Sequence, residues 1–288
     1  MIRNVINHRL QGAFLLIFLV SMVMCNKDEF EPKTEFRVVQ TKSYYNDMLT
    51  EIADFHYSEE RITLIEREIP PMAGWPAMYN KTEVKYPLDD SVVIRDYYLS
   101  EYGSWDYESM VINEILEDKI IRQSLAEGGL EIIRTVYEYQ YSGNNLSETI
   151  VYIYGLPYNR IMFNYNGSDL VRRSVYNYND GWILSRQDTL FYNGDDIDSM
   201  ISFTITDGSR YNDDKYIYFA ENGLIKEMDH YDDDSTSWRH MEHHEYDYDP
   251  YGNLILKLYE NGGSVYKTKY FYEVGRGNNW QTVTTPKI

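Results

Sequence analysis

The densest group of side chains able to do chemistry is His240-Met241-Glu242-His243-His244-Glu245, with His230 nearby. On a β-strand alternate residues share a face. His240, Glu242 and His244 would then point one way, and His243 and Glu245 the other. Imidazole and carboxylate together are zinc ligands. Strand rise, however, spreads the three over roughly 13 Å, too far for one ion unless a bulge intervenes. The plainer reading is a polar, solvent-facing strand, and neither a metal site nor a cofactor is assigned. The acid runs Asp195-Asp196-x-Asp198, Asp213-Asp214 and Asp232-Asp233-Asp234 lack the spacing of a calcium loop. Aspartate is common in turns for backbone reasons, so they read as solvated turns. Glycoside hydrolysis needs two carboxylates at a fixed separation, and among 46 acids such pairs arise by chance. The chain has no Gly-x-Ser-x-Gly elbow, Walker loop, dinucleotide fingerprint or His-Glu-x-x-His. No catalytic residue is assigned, and the expectation is a protein that is not an enzyme. Trp75, Trp105, Trp182, Trp238 and Trp280, with many tyrosines, could form a glycan- or peptide-binding platform, although sheet packing accounts for most tyrosines.

The elements that must carry these residues are written in a tyrosine repeat. Tyr139-Gln-Tyr141-Ser-Gly143-Asn-Asn-Leu146 recurs as Phe163-Asn-Tyr165-Asn-Gly167-Ser-Asp-Leu170. Further copies are Tyr192-Asn-Gly194-Asp-Asp-Ile197, Tyr216-Ile-Tyr218 ending in Gly223-Leu224, and Tyr246-Asp-Tyr248-Asp-Pro-Tyr-Gly252-Asn-Leu254. Tyrosines two apart project from one strand face. Gly with Asn or Asp makes the turn, and Leu or Ile begins the next strand. A second strand set lies between the copies, among them Tyr152-Ile-Tyr154 and Tyr176-Asn-Tyr178. One strand plus one turn is the rhythm of an antiparallel meander, and parallel crossovers have no room.

Residues 131–288 read as the repeat sheet, and residues 37–130 as a degenerate version of it. Tyr44-Tyr45-Asn46-Asp47 and Phe55-His56-Tyr57 keep the pattern without the glycine. Pro70-Pro71 to Trp75-Pro76 reads as a loop. Residues 107–127 have apolar positions at helical spacing, yet Val111, Ile112, Ile120 and Ile121 are β-branched and Glu117-Asp118 could be a hairpin turn. Strands are the expectation there.

The net charge is −19. It is −21 without residues 1–24, which hold Arg3 and Arg9 and no acid. Such a surface repels phosphate backbones, so nucleic acid is not an expected partner. Arg3 and Arg9 precede an apolar run, Ala13 to Met24, that is short for a bilayer span and ends at the only cysteine, Cys25. The run resembles a bacterial lipoprotein signal, which implies lipidation of Cys25. Lys27-Asp28-Glu29 is similar to the lipoprotein export signal of Bacteroidetes, which implies an outer-membrane, cell-surface location through a lipid anchor. Residues 1–24 are then signal and 25–36 a flexible tether.

The segment Tyr246-Asp247-Tyr248-Asp249-Pro250-Tyr251-Gly252-Asn253-Leu254 resembles the YD repeat of the RHS-type family. The resemblance implies an all-β chain in which a long antiparallel β-meander forms a curled or spiral sheet. The expected function is a non-enzymatic interaction or structural scaffold displayed on the surface. The alternative is a carbohydrate-binding accessory lipoprotein of a nutrient-uptake system. Glycan or protein is the ligand class in either case, and no binding residue is assigned.

Overall fold

The computed structural model describes residues 36–274 apart from 60, 72–75, 89, 101, 128–131, 222 and 234–236. Cys25, Lys27, Asp28, Glu29, Trp75, Asp234 and Trp280 lie outside the described residues. The described chain is a succession of strands. They are β1 (Phe36–Tyr45), β2 (Met48–Ser58), β3 (Arg61–Ile69), β4 (Met78–Leu88), β5 (Ser91–Leu99), β6 (Trp105–Leu116), β7 (Lys119–Glu127), β8 (Ile133–Ser142) and β9 (Asn145–Ile153). They continue as β10 (Leu156–Asn166), β11 (Asp169–Tyr178), β12 (Trp182–Asn193), β13 (Asp196–Thr206), β14 (Ser209–Glu221), β15 (Leu224–Asp233), β16 (Trp238–Tyr248), β17 (Leu254–Asn261) and β18 (Ser264–Val274). Residues 107–127 are the β6–β7 hairpin. Glu117 and Asp118 both have positive φ, +50° and +59°, as a two-residue type I′ turn requires.

Each strand pairs antiparallel with the next, as the meander predicts. The curled or spiral sheet is corrected. β18 returns to β1, paired from Phe36↔Val274 to Tyr45↔Tyr266 with one bulge at Val39, and closes an 18-stranded barrel. The YD-repeat resemblance is corrected with it, because a closed barrel is not the open spiral that the repeat implied. Two physical reasons favour closure. An open sheet leaves two hydrogen-bonding edges, and closure alone removes them. The hairpins also carry built-in curvature. Tyr141 pairs with Leu146 but Gln140 with Glu148, so Ser147 is an extra residue in β9. The same insertion falls at Thr63, Ile121, Val171, Asp198, Lys226 and Ile255. Each bulge bends its strand and increases the local twist.

The bulges also explain the tyrosines. Tyr141 donates its hydroxyl to Ile120 O at 2.9 Å, Tyr192 to Leu170 O at 3.0 Å and Tyr272 to Leu254 O at 2.8 Å. Each acceptor is the Leu or Ile beside a bulge in the preceding hairpin, where ladder pairing is broken. Tyr141, Tyr192 and Tyr272 thus lean over the neighbouring strand and bond a carbonyl beside its bulge. A hydroxyl on the bulged residue does similar work: Thr63 bonds His56 O and Ser147 bonds Gln140 O.

The buried face of a closed sheet is its inner face. Tyr139, Leu146, Phe163, Leu170, Leu190, Ile197, Tyr218, Ile225 and Tyr246 pack there in one apolar layer. Ala53, Ile62, Ile65, Val84, Val92 and Ile94 form a second. Both layers lie toward the rim that holds the turns at 143–144, 167–168 and 194–195. Phe36 and Val274 are paired at this same rim, here called proximal, and the opposite rim is distal.

Candidate functional site

Farther from the proximal rim, the inner face changes from apolar to charged. Asp188 of β12 is wholly buried. It pairs with Arg173 of β11, accepts Ser202 Oγ at 2.7 Å and meets Arg186 Nε at 3.2 Å. Arg186 reaches on to Asp214 of β14 at 3.0 Å and to Asp213 at 3.4 Å. Asp214 Oδ1 lies 2.7 Å from His230 Nε2 of β15, and His230 Nδ1 lies 3.6 Å from Glu242 of β16. Glu242 accepts Tyr259 Oη at 2.9 Å and Asn261 Nδ2 at 3.2 Å from β17. One belt of alternating charge therefore runs from β11 to β17. A shorter belt links Arg67, Thr82, Asp96 and Ser109 across β3 to β6.

Charge and burial set the protonation of the belt. Burial opposes the charged form of His230, but Asp214 and Glu242 outweigh it and push its pKa up to about 9. Burial would raise Glu242, yet His230 and Tyr259 outweigh it and hold the carboxyl far below its usual range. Asp214 is lowered in the same way by His230 and Arg186. Tyr216 stacks on His230 with ring centroids 4.5 Å apart. Partnered in this way, the belt fixes strand register and cancels charge that would otherwise be costly to bury.

The histidine-rich strand departs from its expected faces. His230 pairs with Glu242 and Tyr231 with His240, so Met241 is an extra residue in β16. The bulge that one ion would have needed instead divides the group. Glu242 and His244 face inward, while His240 and His243 both bond Asp229 Oδ1, each at 2.9 Å. The solvent-facing reading of this strand is corrected too, because His244 is 1% exposed. Among the described residues no group of three such ligands could hold a metal ion. Asp213, Asp214, Asp232 and Asp233 lie within strands rather than in solvated turns. The turn before β14 is Asp207-Gly208, and this places Asp214 two residues from inward Tyr216. Asp196 keeps a turn role and accepts Gly223 N at 3.0 Å.

Sequence reasoning did not pick out Arg173, Arg186 or Asp188. The signal was their phase. Asp188 precedes Leu190 by two and Tyr192 by four, in step with the inward aromatic positions.

From β2 to β10 the outer wall is charged at mid-strand, whereas β14 exposes Ile217 and Phe219. Lys81 lies 2.8 Å from Glu83, His56 2.9 Å from Glu66 and Arg122 3.5 Å from Glu114, and Arg160 pairs with Glu148. Each alternates with an inward residue such as Thr82 or Ile65. Exposed tyrosine and tryptophan gather toward the distal rim: Tyr79, Tyr98, Trp105, Tyr154, Tyr158 and Tyr178. Trp105 and Tyr79 also line an outer groove of about 390 Å³ with Asp54, Glu66 and Glu68. Trp182 and Trp238 are partly buried, and Trp182 packs edge-on against Tyr178.

No family model and no curated protein matches the chain. Several solved structures resemble it weakly. A porin-like protein from Bacteroides uniformis is 13% identical, with a TM-score of 0.43, over 82% of this chain and 98% of that one. A porin-like protein from Bacteroides vulgatus is 11% identical, with a TM-score of 0.37, over 83% and 99%. A protein of unknown function from Bacteroides fragilis is 16% identical, with a TM-score of 0.25, over 48% and 89%. Likeness at this level assigns no function.

Proposed function

We propose that this chain is a non-enzymatic interaction module at the outer membrane, held there by lipid on Cys25 while its barrel stands in water. The observation that carries the reading is the charged outer wall. A lipid-facing barrel needs an apolar band about 25 Å tall, and each Arg or Lys at its middle costs about 2–4 kcal/mol. The ion pairs at Lys81, Arg122 and Arg160 occupy that position here. The lipid anchor rests on the N-terminal signal. Cys25 precedes Phe36 by eleven residues, a reach of at most about 40 Å. The chain enters the barrel at the proximal rim, so the aromatic distal rim would face away from the membrane. Tyrosine and tryptophan are favoured at recognition surfaces.

A second reading, carbohydrate binding, is favoured by the outer groove. Trp105 and Tyr79 offer aromatic faces beside Asp54, Glu66 and Glu68, which can accept sugar hydroxyls. Expression of the wild type and Cys25→Ser in a Bacteroides host, with surface proteolysis and membrane fractionation, tests the main reading. The wild type should pellet with outer membranes and be cleaved on intact cells, and Cys25→Ser should be absent from the outer-membrane fraction. A Cys25→Ser protein that still reaches the outer membrane would show that the barrel itself inserts. A glycan array probed with the wild type and Trp105→Ala tests the second reading. Binding by the wild type that Trp105→Ala loses supports it, and an array without signal removes it for the sugars displayed.

A further inference from the structure

We propose that Lys257, Tyr246 and His244 form a binding site for a small oxyanion, a carboxylate or phosphate group, on the inner wall of the barrel. Lys257 of β17 pairs with Tyr246 of β16, and Tyr259 pairs with His244, so the four share one patch of the inner face. The residues facing Lys257 from β18 are Thr268, its register partner, and Tyr270 one position along. Three observations point to an absent ligand. First, Tyr246 is 3% exposed and its hydroxyl has no hydrogen-bond partner. Second, His244 is 1% exposed and neither ring nitrogen has a partner; Nε2 stands 3.5 Å from Glu242 without hydrogen-bond geometry. Buried polar atoms are almost always satisfied, and here three orphans gather beside one buried lysine. Third, no ion pair or hydrogen bond joins Lys257 to any of the described residues, and burial draws its pKa down to about 8.

Charge decides which ligand fits. The neighbouring carboxylate, Glu242, already has Tyr259, Asn261 and His230 around it. Arg173 and Arg186 are matched by Asp188, Asp213 and Asp214. Lys257 is therefore the one charged group of the patch that no ion pair engages among the described residues. Its surroundings supply donors: the Tyr246 phenol, kept protonated by burial, and the N–H of a His244 ring that burial keeps neutral. A cation beside neutral donors is the arrangement that takes a carboxylate or phosphate. The site is on the inner wall and is independent of the role proposed for the distal rim.

The test is calorimetric titration of the full-length protein in mild detergent with inorganic phosphate, with sodium glucuronate, and with glucose as the neutral control. The wild type should bind phosphate, glucuronate or both saturably at one site, and should not bind glucose. The anion that binds identifies the source. Lys257→Met should weaken binding about 10- to 100-fold, and Tyr246→Phe several-fold, as loss of charged and neutral hydrogen bonds predicts. Absence of saturable binding by the wild type to either anion, or equal binding by a folded Lys257→Met, overturns the site. Should Lys257→Met not fold, amine labelling of the wild type decides. The bound anion should slow modification of Lys257 relative to Lys226 and Lys269, and equal labelling with and without anion overturns the proposal.

Discussion

At the scale of single residues, the belt and the tyrosine hydroxyls make separable predictions. His230 has a folded pKa near 9 against an ordinary 6.5. Its ion-pair contribution is therefore fully present below about pH 6.5 and is lost as pH rises through 9. Glu242 behaves oppositely: its contribution is present above its ordinary 4.5 and fades as pH falls through its depressed value. Thermal melts of the wild type and His230→Asn at pH 6 and pH 10 should show a destabilisation by the substitution that is large at pH 6 and small at pH 10. An equal gap at both would disprove the pairing. Asp188→Asn leaves Arg173 buried beside a neutral amide and should cost about 3–5 kcal/mol in denaturant unfolding. Tyr192→Phe strands the Leu170 carbonyl and should cost about 1 kcal/mol, whereas the exposed Tyr211→Phe should be neutral. If the two phenylalanine variants unfold alike, the hydroxyl is not what the repeat keeps tyrosine for.

At the scale of elements, the unit is a hairpin with a glycine turn, a bulge and a tyrosine that reaches the previous hairpin. Gly194 opens the β12–β13 turn at φ +66°, and a Cβ added there would meet nothing within 4 Å. Gly194→Ala should therefore lose stability through backbone strain alone, about 1 kcal/mol, with the fold unchanged by circular dichroism. A far larger loss would mean that the turn is packed against something. The hairpins were legible in the sequence because period-two aromatics and Gly-Asn turns are local signals. The bulges were not, because an extra residue such as Ser147 or Met241 is defined only by what the partner strand does. That is why the faces of Tyr246 and Tyr248 were read correctly, while His240 was placed with Glu242 and lies opposite it.

At the scale of the whole molecule, closure rests on the β1–β18 seam. Ser43 and Thr268 are register partners across it, with hydroxyl oxygens 3.3 Å apart. Paired strand neighbours fall within the Cα range that a disulfide spans. The double variant Ser43→Cys, Thr268→Cys should form that disulfide on oxidation, identifiable by peptide mapping, and should raise the melting temperature. An open or spiral sheet would leave the two thiols apart. The charged outer wall and the ion-paired inner belt are also whole-molecule properties, since the sheet acquires an inside only when its ends meet.

Sequence alone determined the secondary-structure class, the antiparallel order and the shared face of the tyrosine pairs. Those follow from residue period and turn chemistry, which act over a few neighbours. Tertiary structure decided that the sheet ends at itself, that Asp188, Asp214 and Glu242 point inward with the tyrosines, and that Lys257 is a buried cation no ion pair engages. These depend on contacts between strands distant in sequence. The meeting of Phe36 with Val274 in particular is fixed by curvature summed over all the hairpins, and no local stretch of the chain encodes that sum.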